Sequence, residues 1–305
     1  MSFHEVAVIG AGPAGLATAL QLRRYGVAAL LLEGGQAGGL LHNANCVENY
    51  PGFPGGIRWP ELVRLFITQA EQIGVCVTHE HVLSLDYGGV PSPPSSGEGM
   101  FSIRTAEQLY QARRVVIASG TRPVLLSEPG IPKELADRFY YEVYPLLATE
   151  GWHIAILGAG DAAFDYALNL VRRNTVTILN RGEQVSCLPL LWERAKAEPM
   201  IQYRPNTSLV RVFATPEKRF GLECATPGGL ESLSADALLA AIGREARLDF
   251  IAHHMLPQLA SLENQGLLYR VGDVMNGLYR QTAIAVGDGI LAAMKIYRSI
   301  FELDE

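Results

Sequence analysis

Residues 4–33 read HEVAVIGAGPAGLATALQLRRYGVAALLLE, and this stretch predicts a strand, a helix and a second strand. The first strand, 4–9, ends at Gly10-Ala11-Gly12-Pro13-Ala14-Gly15, and helix-forming residues continue to position 25. In this motif the first glycine allows a tight turn, the second admits a pyrophosphate to the backbone, and the third packs helix against strand. The stretch therefore predicts a dinucleotide-binding βαβ unit.

Glu33 follows the second predicted strand, 27–32. An acidic residue about 20 positions past the glycines accepts hydrogen bonds from the ribose of an adenosine. The pyrophosphate of the same ligand sits on the N-terminus of the helix. Glu33 and the glycines together predict a site for an adenine dinucleotide.

Residues 152–181, WHIAILGAGDAAFDYALNLVRRNTVTILNR, repeat the pattern, with Gly158-Ala159-Gly160-Asp161-Ala162-Ala163 as the turn. No acid follows the second strand here, and Asn180 and Arg181 take its place. An arginine at this point can pair with a 2′-phosphate, which favours NADPH, or it can be a solvated surface arginine. A second dinucleotide site is therefore predicted, and two such sites in one chain indicate electron transfer.

The composition fits a globular protein. The chain has 305 residues, 49% hydrophobic and 18% charged, which predicts two domains with sizeable cores. We find neither a membrane-spanning apolar stretch nor a secretory signal, so a cytoplasmic location is expected. The net charge of −6 does not indicate binding to nucleic acid or to an anionic membrane surface.

The sequence gives little support for a disulfide scaffold, a metal site or a hydrolase site. The cysteines are widely separated and none forms a Cys-x-x-Cys pair: Cys46, Cys76, Cys187 and Cys224. Several histidines lack metal-site spacing and are expected to be surface or core residues: His42, His79, His81, His253 and His254. We therefore predict no metal site. A Gly-x-Ser-x-Gly hydrolase elbow is also missing from the sequence.

The remaining pattern indicates how the chain is connected. Residues 82–117 predict a β-meander with a loop at 87–99 that is rich in Pro, Gly and Ser. Residues 268–274 predict a returning strand, which Arg280-Gln281-Thr282 and a helix from about position 284 follow.

These motifs stand in the order found in the low-molecular-weight thioredoxin reductases, which are FAD-containing pyridine nucleotide-disulfide oxidoreductases, and the whole chain resembles that family. The resemblance implies an α/β fold of two Rossmann-like three-layer nucleotide-binding domains, the second inserted into the first. It implies an FAD-binding domain at 1–118 and 245–305, and an NAD(P)H-type domain at 119–244. It also implies a homodimer.

The resemblance assigns roles residue by residue. Asn49, in Val47-Glu48-Asn49-Tyr50-Pro51-Gly52-Phe53, matches a flavin-side contact, and Asp273 matches the residue that binds the ribityl hydroxyls. Arg280-Gln281-Thr282 matches the start of a helix whose N-terminus faces the flavin N1/O2 edge. The predicted FAD-binding residues are Gly10, Gly12, Pro13, Ala14, Gly15, Glu33, Gly34, Asn49, Gly120, Gly272, Asp273, Arg280, Gln281 and Thr282. The predicted residues of the second site are Gly158, Gly160, Asp161, Ala162 and Arg181.

Two departures from the family bear on the reaction. Tyr141 and Tyr144 stand where thioredoxin reductases carry the cysteines of Cys-x-x-Cys, and tyrosine cannot perform thiol–disulfide exchange. These tyrosines either shield a flavin or pack a domain junction. The family's His-Arg-Arg is Asn180-Arg181-Gly182 here, so NADPH, NADH and even a second FAD stay open for the second site.

Cys46 directly precedes the flavin-side segment. As a thiolate there, it could form a charge-transfer pair with FAD or attack a small disulfide or peroxide. The alternative is an ordinary loop cysteine without a redox role.

The sequence thus predicts an FAD-dependent oxidoreductase that passes electrons between a nicotinamide, with NADPH favoured, and an acceptor other than thioredoxin. Ferredoxin, a flavodoxin or a quinone would fit, and the nearest functional model is the ferredoxin–NADP reductases of the same fold, which also lack the dithiol. The alternatives are a ferredoxin-linked or diflavin enzyme that does not use NADPH, and a non-catalytic flavin-binding sensor.

Overall fold

The computed structural model describes residues 2–88 and 99–301, which divide into two compact units. The first unit comprises Met1–His42, Cys46–Arg122 and Glu245–Glu305, and the second comprises Asn43–Asn45 and Pro123–Arg244. The limits predicted from the sequence are 118 and 244. Most of the predicted 87–99 loop, residues 89–98, lies outside the described residues.

The regular elements are given in chain order. The strands are β1 (Ser2–Ile9), β2 (Ala29–Leu32), β3 (Cys46–Val47), β4 (Ile57–Arg58), β5 (Val77–Thr78), β6 (Ser84–Tyr87), β7 (Phe101–Arg104), β8 (Leu109–Ile117), β9 (Thr121–Pro123), β10 (Phe139–Tyr140), β11 (His153–Leu157), β12 (Thr175–Leu179), β13 (Ile201–Arg204), β14 (Ser208–Ala214), β15 (Phe220–Thr226), β16 (Gly229–Ala235), β17 (Ala237–Ala240), β18 (Arg244–Ala246) and β19 (Leu268–Arg270). The α-helices are α1 (Pro13–Arg24), α2 (Trp59–Gln72), α3 (Asp161–Leu170), α4 (Pro189–Ala197), α5 (Leu259–Asn264) and α6 (Thr282–Ile300). Short 3₁₀ turns cover Gly39–Asn43, Lys133–Arg138, Tyr144–Leu146, His253–Gln258 and Gly272–Val274.

The main sheet of the first unit has the order β5-β2-β1-β8-β7-β6, and β19 also pairs with β8. The strands β5, β2, β1, β8 and β19 run parallel, whereas β7 and β6 are antiparallel to their neighbours. Because side chains alternate along a strand, Val6 and Val8 of β1 join the core that contains α1 and α6. Ala7 and Ile9 join the core on the opposite face. Both faces of β1 are therefore covered, as expected of a parallel sheet.

The helices α1 and α6 pack together closely because small residues lie where they meet. A Cβ on Gly289 would lie 2.3 Å from the Ala14 carbonyl oxygen and 2.9 Å from Thr18 Oγ1. Thr18 is itself buried and donates its hydroxyl to the Ala14 carbonyl at 2.8 Å. Gly289 therefore sets the distance between the two helices.

The second unit is built on a parallel sheet with the order β10-β17-β11-β12-β13. The fully buried Phe164 of α3 packs edge-on against Trp192 of α4, with ring centroids 5.6 Å apart. Strands β14, β15 and β16 form an antiparallel sheet that carries Phe220 and Leu222 into a second core of this unit. Among the helices that the structure describes, none is long and apolar enough to cross a membrane.

A pair of glycine substitutions in α6 tests this account. Gly289→Ala should lower the free energy of unfolding by ~1–3 kcal/mol, because its methyl group meets the α1 backbone. Gly287→Ala, in the same helix, meets nothing within 4 Å and should raise stability by up to ~1 kcal/mol through helix propensity. Thermal or urea unfolding of both variants measures the difference. Equal effects of the two substitutions would contradict the proposed helix contact.

Candidate functional site

We give the name first cradle to the 10–15 turn after β1, to Glu33 and to the segments that contact them. Gly10 has φ +106°, and a Cβ there would lie 2.4 Å from the Ala118 carbonyl oxygen. The Gly10 N–H donates to the Leu32 carbonyl at 2.8 Å. The backbone thus turns between two neighbouring strand ends, a path that only glycine allows.

The other two glycines of the turn have different tasks. A Cβ on Gly15 would lie 1.8 Å from the Gly10 carbonyl oxygen, so this glycine serves helix–strand packing. Around Gly12, by contrast, the nearest described atom to a Cβ is Gly39 Cα, at 3.9 Å. Gly12 precedes α1, and among the described residues no side chain caps that helix start. The first cradle thus offers open backbone N–H groups and space, which fits a pyrophosphate.

Glu33 lies at the carboxyl end of β2 and is held by the cradle backbone. Its Oε2 accepts the Ala11 N–H at 2.7 Å, and its Oε1 accepts the Gly35 N–H at 2.8 Å. A carboxylate has about four acceptor positions, so Glu33 keeps capacity for ribose hydroxyls. Gly34, also predicted as a site residue, contacts the imidazole of His81.

The returning segment after β19 meets the start of α1. Gly272 has φ +73°, and a Cβ there would lie 2.9 Å from Ala14 Cβ. Asp273 is half-buried in the short turn that begins at Gly272. The turn is held by Asp288 Oδ2, which accepts the Gly272 N–H at 3.1 Å and Asn276 Nδ2 at 2.6 Å. Asp288 and Asn276 have no motif in the sequence and were missed there.

Asn49 and Gln281 come together although 232 positions separate them. Asn49 Nδ2 donates to Gln281 Oε1 at 2.6 Å, and Gln281 is the residue that precedes α6. The helix begins at Thr282, two positions before the predicted start. Next to Asn49, the Tyr50 ring packs edge-on against Phe66 of α2, with centroids 5.9 Å apart. Asn49 and Gln281, two predicted flavin-side residues from distant parts of the chain, are therefore in direct contact.

Cys46 and Gly120 have local surroundings of their own. Cys46 lies in β3 opposite Arg58 of β4, half-buried, and its Sγ would be 2.8 Å from a Cβ on Gly56. Gly120 has φ +65°, and its carbonyl accepts the Arg247 N–H at 3.1 Å. This bond ties the segment after β8 to the segment after β18.

The second cradle, the 158–163 turn and the ends of β12 and β13, repeats the backbone of the first. A Cβ on Gly158, at φ +119°, would lie 2.3 Å from the Ala241 carbonyl oxygen, whereas a Cβ on Gly160 would be 3.7 Å from Ser186 Oγ. Ser186 donates its N–H to the Ala159 carbonyl at 3.0 Å, as Gly38 does to Ala11 at 2.8 Å. The second cradle therefore also leaves room for a pyrophosphate.

The polar residues of the second cradle hold its loops. Asn180 is buried, and its Nδ2 donates to the Gln184 carbonyl at 3.0 Å and to Tyr203 Oη at 2.8 Å. Its Oδ1 accepts the Gly182 N–H at 3.1 Å, so this amide is committed to the turn. Asp161 Oδ1 accepts the Leu188 N–H at 2.7 Å. Ala162 and Arg181 are exposed.

The segment that carries the two tyrosines is an edge of the second unit. Its strand β10 pairs with β17, and Val143 and Leu146 are fully buried. The Tyr141 ring packs edge-on against Phe139 at 4.9 Å, and its Oη accepts the Leu126 N–H at 2.8 Å. Tyr141 therefore packs within its own unit. Tyr144 is 41% exposed.

Comparison with known proteins gives consistent results. The family described as pyridine nucleotide-disulphide oxidoreductase matches residues 4–289. The chain is 31% identical over 99% of its length to the bifunctional thioredoxin reductase/thioredoxin of Mycobacterium leprae, of which it covers 67%. It is 30% identical to the thioredoxin reductase of Streptomyces coelicolor, covering 95% of this chain and 92% of that protein. The crystal structure of Lactococcus lactis thioredoxin reductase in its FR conformation superposes with a TM-score of 0.83 at 26% identity, covering 98% of this chain and 100% of that one. These likenesses confirm the predicted resemblance and fold class.

The glycines of the first turn should separate folding from binding. Gly12→Ala should leave thermal unfolding unchanged and lower FAD affinity at least about tenfold, or ~1.4 kcal/mol, because its methyl group enters the open space of the cradle. Gly15→Ala should instead prevent stable folding, since its methyl group meets the Gly10 carbonyl. Flavin titration of the apoprotein and thermal unfolding measure both effects. A Gly12→Ala protein that binds FAD as tightly as the native chain would rule out this use of the cradle.

Proposed function

Because the chain belongs to the pyridine nucleotide-disulphide oxidoreductase family, whose enzymes are FAD-dependent, we propose that it passes electrons from NADPH or NADH through FAD to an acceptor other than thioredoxin. FAD would occupy the first cradle, and the nicotinamide dinucleotide the second. NADPH is the favoured donor.

The observation that carries the proposal is the convergence of three distant segments in the first unit. The Gly12 turn offers an open helix start, Glu33 stands at the ribose position, and Asp273 lies in a turn packed on Ala14. The hydrogen bond between Asn49 and Gln281 then joins the flavin-side segment to the start of α6. Binding of FAD is a function that would use all of these residues at one place.

When bound, FAD would supply the redox chemistry: it would accept a hydride from the nicotinamide, which is oxidised, and then give the two electrons to the acceptor and release the proton. The residues of this chain bind and orient it. The N–H groups at the start of α1 hold the pyrophosphate, and Glu33 accepts hydrogen bonds from the ribose. The positive end of α6, a 19-residue helix, would lie toward the flavin edge and would stabilise negative charge there.

The second cradle supports a nicotinamide dinucleotide. At the end of β12 it lacks the carboxylate that selects an unphosphorylated ribose, and Asn180 is committed to its turn. The exposed Arg181 remains as the partner for a 2′-phosphate. We therefore keep NADPH as the favoured donor, with NADH next and a second FAD as the alternative.

We propose an acceptor other than thioredoxin because the sequence lacks the Cys-x-x-Cys dithiol of thioredoxin reductases. Without cysteines at 141 and 144, the chain has no Cys-x-x-Cys pair to relay electrons to a protein disulfide by thiol exchange. The packing of Tyr141 against Phe139 gives that residue a structural task. Ferredoxin and flavodoxin find no support among the relatives described above, which are named thioredoxin reductases.

A homodimer is part of the proposal. The outer face of α6 carries Ile284, Ile290, Leu291 and Met294, each more than one-third exposed, and Leu278 before it is 94% exposed. A helix with apolar residues on its solvent face marks a protein interface. Sedimentation velocity of the purified protein gives the mass that decides this. A cytoplasmic location stays a prediction from the sequence.

Anaerobic stopped-flow mixing with NADPH and NADH tests the main proposal. Fast loss of flavin absorbance is expected, with NADPH the better donor. Arg181→Ala should raise the apparent Kd for NADPH about tenfold, through loss of a charged hydrogen bond of ~1.5 kcal/mol, and leave NADH unchanged. No bleaching by either nucleotide would sink the reductase proposal and favour its alternatives, the ferredoxin-linked or diflavin enzyme and the sensor. Mass spectrometry of the released cofactors would reveal a second FAD.

Substitution of Cys46 tests the single-cysteine route. Thioredoxin reduction with NADPH should be absent from the native protein, and if the thiol reduces small disulfides, Cys46→Ser should abolish that turnover while flavin bleaching persists. Cys187→Ser is a matched control, because burial, with the nearby Asp161 carboxylate, raises the pKa of the Cys187 thiol and so lowers its thiolate fraction. Disulfide turnover and a long-wavelength band that both survive in Cys46→Ser would remove Cys46 from the mechanism. Efficient thioredoxin reduction would overturn the proposed acceptor.

A further inference from the structure

Asp288 is an aspartate in the interior of helix α6. The helix begins at Thr282, and Asp288 is half-buried and directly precedes Gly289, where α6 meets α1. Aspartate is a poor residue for a helix interior, because its side chain competes for backbone hydrogen bonds. A carboxylate near the positive end of a helix is stabilising, but this effect is confined to the first turn. Helix formation therefore does not explain Asp288.

One oxygen of Asp288 holds both ends of the turn that follows β19. Its Oδ2 accepts the Gly272 N–H at 3.1 Å and Asn276 Nδ2 at 2.6 Å. The Met275 N–H donates to the Gly272 carbonyl at 3.0 Å, which closes the turn between these two donors. Asp273, which the family resemblance assigns to the ribityl hydroxyls, lies inside the turn. The place of Asp273 is therefore set by a side chain of α6.

The turn needs an acceptor at this position because it is packed between two helices. Gly272 is buried, and a Cβ on it would lie 2.9 Å from Ala14 Cβ of α1 and 3.4 Å from Ala285 Cβ of α6. A buried N–H that lacks an acceptor loses its hydration without compensation. The carboxylate of Asp288 supplies the acceptor, so its contact with Gly272 is more than a surface hydrogen bond.

The same helix carries a second residue of the first cradle. Gln281 precedes α6 and accepts Asn49 Nδ2 at 2.6 Å. Because a helix is rigid over this distance, a turn that is fixed to Asp288 is also fixed relative to Gln281. Asp288 thus links the place of Asp273 to that of the other predicted flavin-side residues.

We propose that Asp288 is a positioning residue, which affects flavin binding by holding Asp273 in place. The inference rests on the proposed FAD function. Two different donors, a backbone N–H and a side-chain amide, meet at one oxygen of Asp288, and Asp273 stands between them in the chain. Loss of that oxygen releases both ends of the turn at once, and Asp273 must then be ordered when the flavin binds.

Flavin titration of the apoprotein measures this role. Asp288→Ala should raise the Kd for FAD about tenfold, because the buried Gly272 N–H loses its acceptor and Asp273 is no longer held. Asp288→Asn should keep most of the affinity, since its amide oxygen can still accept both donors. In an Asp273→Ala background, Asp288→Ala should cause no further loss, because a residue that acts through Asp273 has no effect once that carboxylate is gone.

An exchange of the two side chains tests the same contact if Asp288→Ala does not fold. Asn276→Asp alone places two carboxylates at hydrogen-bond distance and should raise the Kd for FAD at least about tenfold. Asn276→Asp combined with Asp288→Asn restores a donor facing an acceptor and should recover the affinity. Asp86→Ala is a matched control: it also removes a half-buried aspartate that accepts a backbone N–H, that of Tyr87 at 2.7 Å, and should bind FAD normally.

Three results would overturn the inference and leave the proposed function intact. They are an unchanged Kd in Asp288→Ala, an equal loss with and without the Asp273 carboxylate, and an exchange that fails to recover the affinity lost in Asn276→Asp. An equal loss in both backgrounds would indicate a purely structural role. A native apoprotein that binds no FAD would overturn the proposed function itself, and the inference with it.

Discussion

Both cradles depend on how closely a glycine backbone can approach the end of a neighbouring parallel strand. Gly10 and Gly158 have positive φ and face the carbonyls of Ala118 and Ala241 at distances that no side chain would permit. Because the chain can turn there, a helix starts at the carboxyl edge of the sheet with its N–H groups available to an anion. The loops that follow are arranged around these turns, with Gly38 and Ser186 bonded to equivalent carbonyls.

On this shared backbone the two units carry different polar residues. The end of β2 places a carboxylate on the turn itself, where Glu33 accepts two backbone N–H groups and keeps acceptor capacity. The end of β12 carries Asn180, whose donors and acceptor are used within its own turn. The first site is therefore defined by the carboxylate of Glu33, and the second by the exposed Arg181 that follows Asn180. Under the proposed function, FAD occupies the first of these sites and a nicotinamide dinucleotide the second.

The relatives named thioredoxin reductase share the fold of this chain, yet the segment at 139–146 serves packing here. Strand β10 adds to the sheet through β17, and Val143 and Leu146 fill the core below it. A fold of this kind separates the binding of cofactors, which depends on the strand ends, from the route by which electrons leave. The route can therefore change without disturbing the cradles, which is the situation proposed for this chain.

The sequence by itself determined the fold class, both fingerprints and Glu33, because each βαβ unit is continuous and its spacing follows from local geometry. It also predicted Asn49, Asp273 and Gln281, but only through resemblance to a family. Tertiary structure decided that Asn49 bonds to Gln281, that Asp288 holds the turn at Gly272, and that His81 packs on Gly34. Each of these contacts joins residues that are far apart in the chain, so it forms only when the sheet and the helices bring those segments together. Strand order is a global outcome of burying both faces of β1, and no local pattern of residues encodes it.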